Sequence, residues 1–204
     1  MIVDNFDLLQ SNFDKLVSKE DFFFIQVIQR KEDDNDVNIK IIRNFYIYNK
    51  EDFLEKKNYI IQLCKQHNAG VYFWINPKNA RDISLECIKA YADLISQEDC
   101  SKGYKLWDKK CELNVSSNYE KLWIVDVDSK DPVNLKLICE LINNCWRDVP
   151  NIQQIKQIIP TLNGYHIITN KFNAHYFKQL LIINNLEYVD IYRNNPTLLY
   201  YEET

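Results

Sequence analysis

The chain has no CxxC pair, no apolar run approaching the about 20 residues that cross a bilayer, and no surplus of positive charge. Each absence removes a class. The six cysteines, at 64, 87, 100, 111, 139 and 145, lack the tight spacings of zinc knuckles and read as reduced, mostly buried thiols; Cys100 and Cys111 are the one pair left open for zinc. The opening MIVDNFDLLQ is acidic and amphipathic, unlike a secretory leader, so the expected location is cytoplasmic, with no membrane partner. Lys and Arg number 25 against 29 Asp and Glu, for a net charge of -4 and a pI near 5.5. No global basic field draws such a chain to nucleic acid, although a local basic channel stays compatible with it. There is no internal repeat, low-complexity tract or flexible linker.

What is present is a globular composition: 204 residues and 46% hydrophobic, enough for one sizeable core or two small ones. Phe6, Leu9, Phe13 and Leu16 recur at helical spacing and predict a leading helix over Val3 to Val17. The runs from Phe22 to Ile28 and Val37 to Tyr48 predict a hairpin whose acidic turn, 31–36, is a solvated tip. A helix from Lys50 to His67 stopped by Asn68-Ala-Gly70, a strand Val71 to Ile75 and a helix over 83–95 follow. The segment 96–119 reads as irregular.

From residue 120 the predicted order is strand (Lys121 to Asp128), helix (Val133 to Trp146, stopped before Pro150), strand (Ile155 to Pro160), strand (to Thr169), helix (Phe172 to Asn184), strand (Tyr188 to Tyr192). Thr197 to Tyr201 is expected to close a hairpin with the last of these. That order describes an α+β fold: an N-terminal α/β module, 1–119, packed on an RRM-like (ferredoxin-like) sheet, 120–204, together one catalytic domain.

Chemistry concentrates in the second half. In KLWIVDVDSKD, Asp126 and Asp128 occupy strand positions i and i+2, which project to one side roughly 7 Å apart. Unpaired carboxylates are costly to bury, so such a pair faces solvent, meets cations or binds a hard divalent ion; alternatively the acids cap the helix starting at Asp131-Pro132. Asp190 lies in the apolar strand EYVDIY, and interleaving of the four strands brings it toward the pair. Three converging carboxylates suit a two-metal phosphoryl-transfer site, with the ions roughly 3.5–4 Å apart. Of three histidines, His67 ends a helix, His175 lies on a polar helix face, and His166 enters an apolar strand two residues after Gly164, either as a packed ring or as part of the site. Ile75-Asn-Pro-Lys78, with Arg81 beyond it, reads either as a turn or as a basic rim for phosphates.

Four stretches, in this order, resemble the archaeo-eukaryotic primase superfamily, especially the primase-polymerase domains of phages and plasmids. GVYFWINPK (70–78) is similar to the strand closing the family's N-terminal module, and LWIVDVDSK (122–130) to its first motif. TLNGYHIIT (161–169) is similar to its second motif and YVDIYRNNPTLLY (188–200) to its third. The resemblance implies a DNA primase or primase-polymerase. Asp126, Asp128 and Asp190 would hold Mg²⁺ or Mn²⁺, and His166 would contact the phosphates of the incoming nucleotide.

The family's second motif usually carries a serine two places before the histidine, or a Ser-Gly-Gly turn. Here that place is Gly164, leaving Thr161, Asn163, Gly164 and backbone N–H groups as nucleotide contacts. Lys78, Arg81, Lys130, Lys171 and Arg193 are candidates for the triphosphate, Lys78 and Arg193 foremost. The implied partners are a single-stranded DNA template, nucleoside triphosphates and a separate replicative helicase, in a bacterial host cytosol if the chain is phage-encoded. Rival expectations are a catalytically inactive nucleic-acid-binding replication protein, and a metal-dependent nuclease or glycosyltransferase.

Overall fold

A computed structural model describes residues 1–33, 36–98, 100–101, 103–145 and 154–203. In chain order the elements are β1 (Ile2–Asp4), α1 (Phe6–Leu9), a 3-10 turn (Gln10–Lys15), β2 (Asp21–Asp33), β3 (Asp36–Ile47), α2 (Lys50–His67), β4 (Gly70–Trp74), β5 (Lys78–Asn79), α3 (Ala80–Ser96) and a 3-10 turn (Gly103–Lys105). Then come α4 (Leu106–Leu113), β6 (Trp123–Val127), α5 (Pro132–Asn144), β7 (Ile155–Pro160), β8 (Tyr165–Thr169), α6 (Ala174–Ile183), β9 (Asp190–Tyr192) and β10 (Pro196–Glu202). The fold is mixed α+β with antiparallel pairing, and no helix among the described residues is long and apolar enough to cross a membrane. The tip of the acidic hairpin at 34–35 and the expected helix end at Trp146, before Pro150, lie outside the described residues.

The chain forms two compact units, one of residues 1–119 with 198–204, the other of 120–197. The first is built on a sheet ordered β1-β10-β4-β2-β3, with β5 also paired to β2. Its central run FFFIQV is buried throughout because both sheet faces are covered. Phe23 stacks with Phe73 and meets Phe13 on one side, while Phe22 and Phe24 join Trp74, Ile83, Cys87 and Cys111 on the other. Helix α2 is capped by Asn49 at its start and ended by Asn68, which takes the left-handed conformation that asparagine tolerates better than most residues.

Three expectations fail in this unit. The leading helix is a short strand, one α turn and a 3-10 turn, because Ile2–Asp4 pairs antiparallel with Tyr200–Glu202 before the helical residues begin. The segment 96–119 contains α4, whose buried Cys111 anchors it to the Phe22 and Phe24 side of the sheet. Thr197 to Tyr201 forms no hairpin with β9: β10 lies between β1 and β4, so the second module ends at Thr197, not at residue 204.

The second unit is a four-stranded antiparallel sheet ordered β7-β8-β6-β9. Each of its two strand-helix-strand passages, β6-α5-β7 and β8-α6-β9, therefore skips one strand. Alternation sends Trp123, Val125, Val127 and Ile167 to one face, where they pack with Ile138, Leu141 and Ile142 of α5 and Phe177 and Leu181 of α6. The residues between them in register, Ile124, Asp126, His166, Ile168 and Asp190, share the opposite face.

Helix α5 has its own cap. Asp131 accepts a 2.9 Å hydrogen bond from the Val133 N–H, and Pro132 fills the first helical position, where a missing N–H costs nothing. The carboxylates of Asp126 and Asp128 are thus not the helix cap. Asp131→Ala is expected to lower stability by about 1 kcal/mol, read by urea unfolding, with no change in metal or nucleotide response.

Candidate active site

The central strand β6 delivers Asp126 between two neighbours. In the antiparallel register Asp126 stands directly opposite His166 of β8 on one side and directly opposite Asp190 of β9 on the other. Directly opposed residues have Cβ atoms about 4.5–5.5 Å apart, so three chemically active side chains form one row across three strands. Asp128 continues along the same side just beyond the end of β6 and is exposed, as is Asp190. Asp126 and His166 are half-buried.

Two contacts set the ring of His166. Its Nε2 lies 3.3 Å from Asp126 Oδ1, and its Nδ1 lies 2.9 Å from the hydroxyl of Thr197. Asp190 has a partner on its own strand, the hydroxyl of Tyr192, which donates to Oδ2 at 3.3 Å. Burial, then the negative fields of Asp190, Asp126 and Asp128 together with that hydrogen bond, push the Tyr192 hydroxyl up from the usual tyrosine range. The phenol therefore stays a donor among all three carboxylates.

Gly164 fixes how the turn before His166 meets β6. A Cβ built on it would fall 1.9 Å from the Val127 carbonyl oxygen and 2.7 Å from the Ser129 N–H nitrogen, so only a bare backbone fits. Its φ is not positive; what the position demands is space. The turn is closed by Thr161, whose N–H donates to the Gly164 carbonyl at 2.9 Å and whose hydroxyl accepts from the Gly164 N–H at 3.0 Å. Thr161 is thereby occupied, while Asn163 is exposed at the tip.

The expected cations behave differently. Lys78 is fully buried in the first unit, donates to the Asn114 carbonyl and lies 4.8 Å over the Trp74 ring, which corrects the expectation of a phosphate-facing lysine. Arg193 is exposed, but its guanidinium lies 5.2 Å over Trp123 on the helix-covered face, three residues and one alternation away from Asp190. Arg81 is exposed in the first turn of α3, Lys130 on the segment after β6, and Lys171 beyond the far end of β8. Among the described residues no lysine or arginine is within ion-pair reach of Asp126, Asp128 or Asp190.

Three carboxylates on one side of a sheet, with no lysine or arginine partner among the described residues, have the donor chemistry of a hard divalent ion. As they stand, however, no three His, Cys, Asp or Glu side chains among the described residues come close enough together to hold a metal. His166 Nε2 lies against one oxygen of Asp126, Tyr192 donates to one of Asp190, and Asp128 lies past the strand end. Cys100 and Cys111 make no zinc pair either, since Cys100 is exposed and Cys111 fully buried, its thiol pushed up by burial.

Two residues of the site went unseen in the sequence. Tyr192 could have been found by the same i, i+2 alternation that joined Asp126 to Asp128. Thr197 had no such signal, since its contact with His166 spans 31 residues and depends on where β10 enters. Compared with known proteins, the chain matches no family model, no curated protein and no solved structure.

Proposed function

We propose that the chain is a template-directed nucleotidyltransferase, a DNA primase or primase-polymerase, whose second unit is an RRM-like (ferredoxin-like) catalytic sheet. The reading rests on one observation: Asp126 stands in register between His166 and Asp190, with Asp128 next along the same strand. The strand order β7-β8-β6-β9, with both helices on one face, supports the RRM-like assignment.

Asp126, Asp128 and Asp190 would hold two Mg²⁺ or Mn²⁺ ions, which requires the three carboxylates to come closer together than they stand. When bound, such ions lower the pKa of an attacking hydroxyl and offset the charge of a triphosphate and its departing pyrophosphate. The chain's own residues do the rest. Tyr192 orients one oxygen of Asp190, and His166 offers a ring N–H to a phosphate oxygen. Gly164 lets the turn carrying Asn163 lie against the end of β6. A single-stranded DNA template would direct nucleoside triphosphates to this face, with strand opening supplied by a separate helicase.

A second reading, an inactive nucleic-acid-binding replication protein, is favoured by the unconverged carboxylates and by the engagement of Lys78 and Arg193 with protein groups. The purified chain should be incubated with single-stranded template, labelled ribo- or deoxyribonucleotides and Mg²⁺ or Mn²⁺, with and without primer, beside an Asp126→Ala/Asp128→Ala variant. Metal-dependent incorporation lost in the variant is the expected result. Template binding without incorporation under any condition supports the inactive reading, and template shortening that stops in the variant identifies a nuclease.

A further inference from the structure

Resting on the reading of His166 as a nucleotide contact, we infer that Thr197 is its positioning residue: the buried Thr197 hydroxyl donates to Nδ1 and so fixes Nε2 as the protonated nitrogen on the carboxylate side of the sheet. Nε2 lies 3.3 Å from Asp126 Oδ1, and a carboxylate attracts an N–H and repels a nitrogen lone pair, so the nitrogen on that side is the one that carries the proton. A neutral imidazole has a single N–H, which leaves Nδ1 as an acceptor. The atom facing Nδ1, at 2.9 Å, is Thr197 Oγ1, and a hydroxyl can supply the missing donor.

The backbone alone cannot make this choice. Pairing of β8 with β6 and with β7 fixes where the His166 Cα sits, opposite Asp126 and Ile159, but the last torsion of a histidine side chain is broad and roughly two-fold. The hydrogen bond at Nδ1, with the Asp126 carboxylate facing Nε2, selects one ring orientation and one tautomer. Thr197 is suited to the task because it is fully buried, so water does not compete for its hydroxyl. The Nε2–H held in this way is also the donor that a phosphate oxygen would accept, so Thr197 would act on substrate only through His166.

The test uses the full chain labelled with ¹⁵N-histidine, with His166→Gln assigning the ring among the three histidines. Under conditions that keep the ring neutral, wild type should show Nε2 protonated and Nδ1 as a hydrogen-bonded acceptor. Thr197→Val, which keeps shape and removes the hydroxyl, should give the averaged pattern of an unheld ring, and Thr197→Ser should restore the wild-type pattern. Titrated with ATP and dATP in Mg²⁺, Thr197→Val should bind about tenfold more weakly and Thr197→Ser near wild type. An Nδ1–H tautomer in wild type, an unchanged spectrum in Thr197→Val, or failure of serine to rescue would each overturn the assignment. Absence of nucleotide binding by wild type would overturn the proposed function instead, and the ring spectrum would still decide the role of Thr197.

Discussion

Alanine at position 164 is expected to destabilise the second unit by about 3 kcal/mol or more and to suppress whatever activity depends on Asp128. Overpacking is usually milder because a side chain can swing away. Here the first atom met is the Val127 carbonyl oxygen at 1.9 Å, followed by the backbone of Ser129, and β6 is an interior strand paired on both sides. Relief requires β8 to separate from β6 at the point where Val127 opposes Tyr165, one residue from the Asp126 and His166 pair. Serine would meet the same obstacle. Urea unfolding, together with amide exchange of Val127 and Tyr165, measures the effect. A change under about 0.5 kcal/mol, typical of unremarkable surface sites, would mean that the turn does not approach β6 as closely as described.

Much of this arrangement could be read from residue pattern because it depends on short-range periodicity. Trp123 to Val127 alternates between a helix-covered face and a carboxylate face, and that alternation alone separates Val127 from Asp126 and Asp128. The meeting of Asp126 with Asp190 also follows once the strands are interleaved, since the order places β9 beside β6. What escaped depends on long-range pairing or on burial. Nothing in Thr197 to Tyr201 distinguishes a partner on β9 from one on β1, and pattern alone favours the nearer strand. The sequence points Lys78 outward, toward solvent or a phosphate, because its type is almost never fully buried; its partners, the Asn114 carbonyl and the Trp74 ring, are supplied by tertiary packing. Phe6 to Leu16 keeps its apolar spacing through an α turn and a 3-10 turn, and spacing does not tell the two apart.

Asp190→Asn should separate function from stability by moving them in opposite directions. Asp126 and Asp190 are directly opposed like charges on neighbouring antiparallel strands, an arrangement that destabilises a sheet, and no lysine or arginine among the described residues offsets it. Asparagine keeps the shape and an oxygen for the Tyr192 hydroxyl, now 3.3 Å from Asp190 Oδ2, while removing one charge. In chelator the variant is therefore expected to be more stable than wild type by about 0.5 kcal/mol, a rise of roughly 2–4 °C for a unit of this size. Added Mg²⁺ or Mn²⁺ should reverse the order. Wild type gains stability by mass action, about 2.7 kcal/mol at a hundred times the dissociation constant, whereas the variant, short of one ligand, gains little. Nucleotide incorporation should be lost with the metal response. Thermal unfolding of both proteins across a metal titration, run beside the incorporation assay, tests the whole chain of reasoning. If Asp190→Asn is the less stable protein in chelator and responds to metal as wild type does, the row His166, Asp126, Asp190 is structural and the carboxylates belong to no metal site.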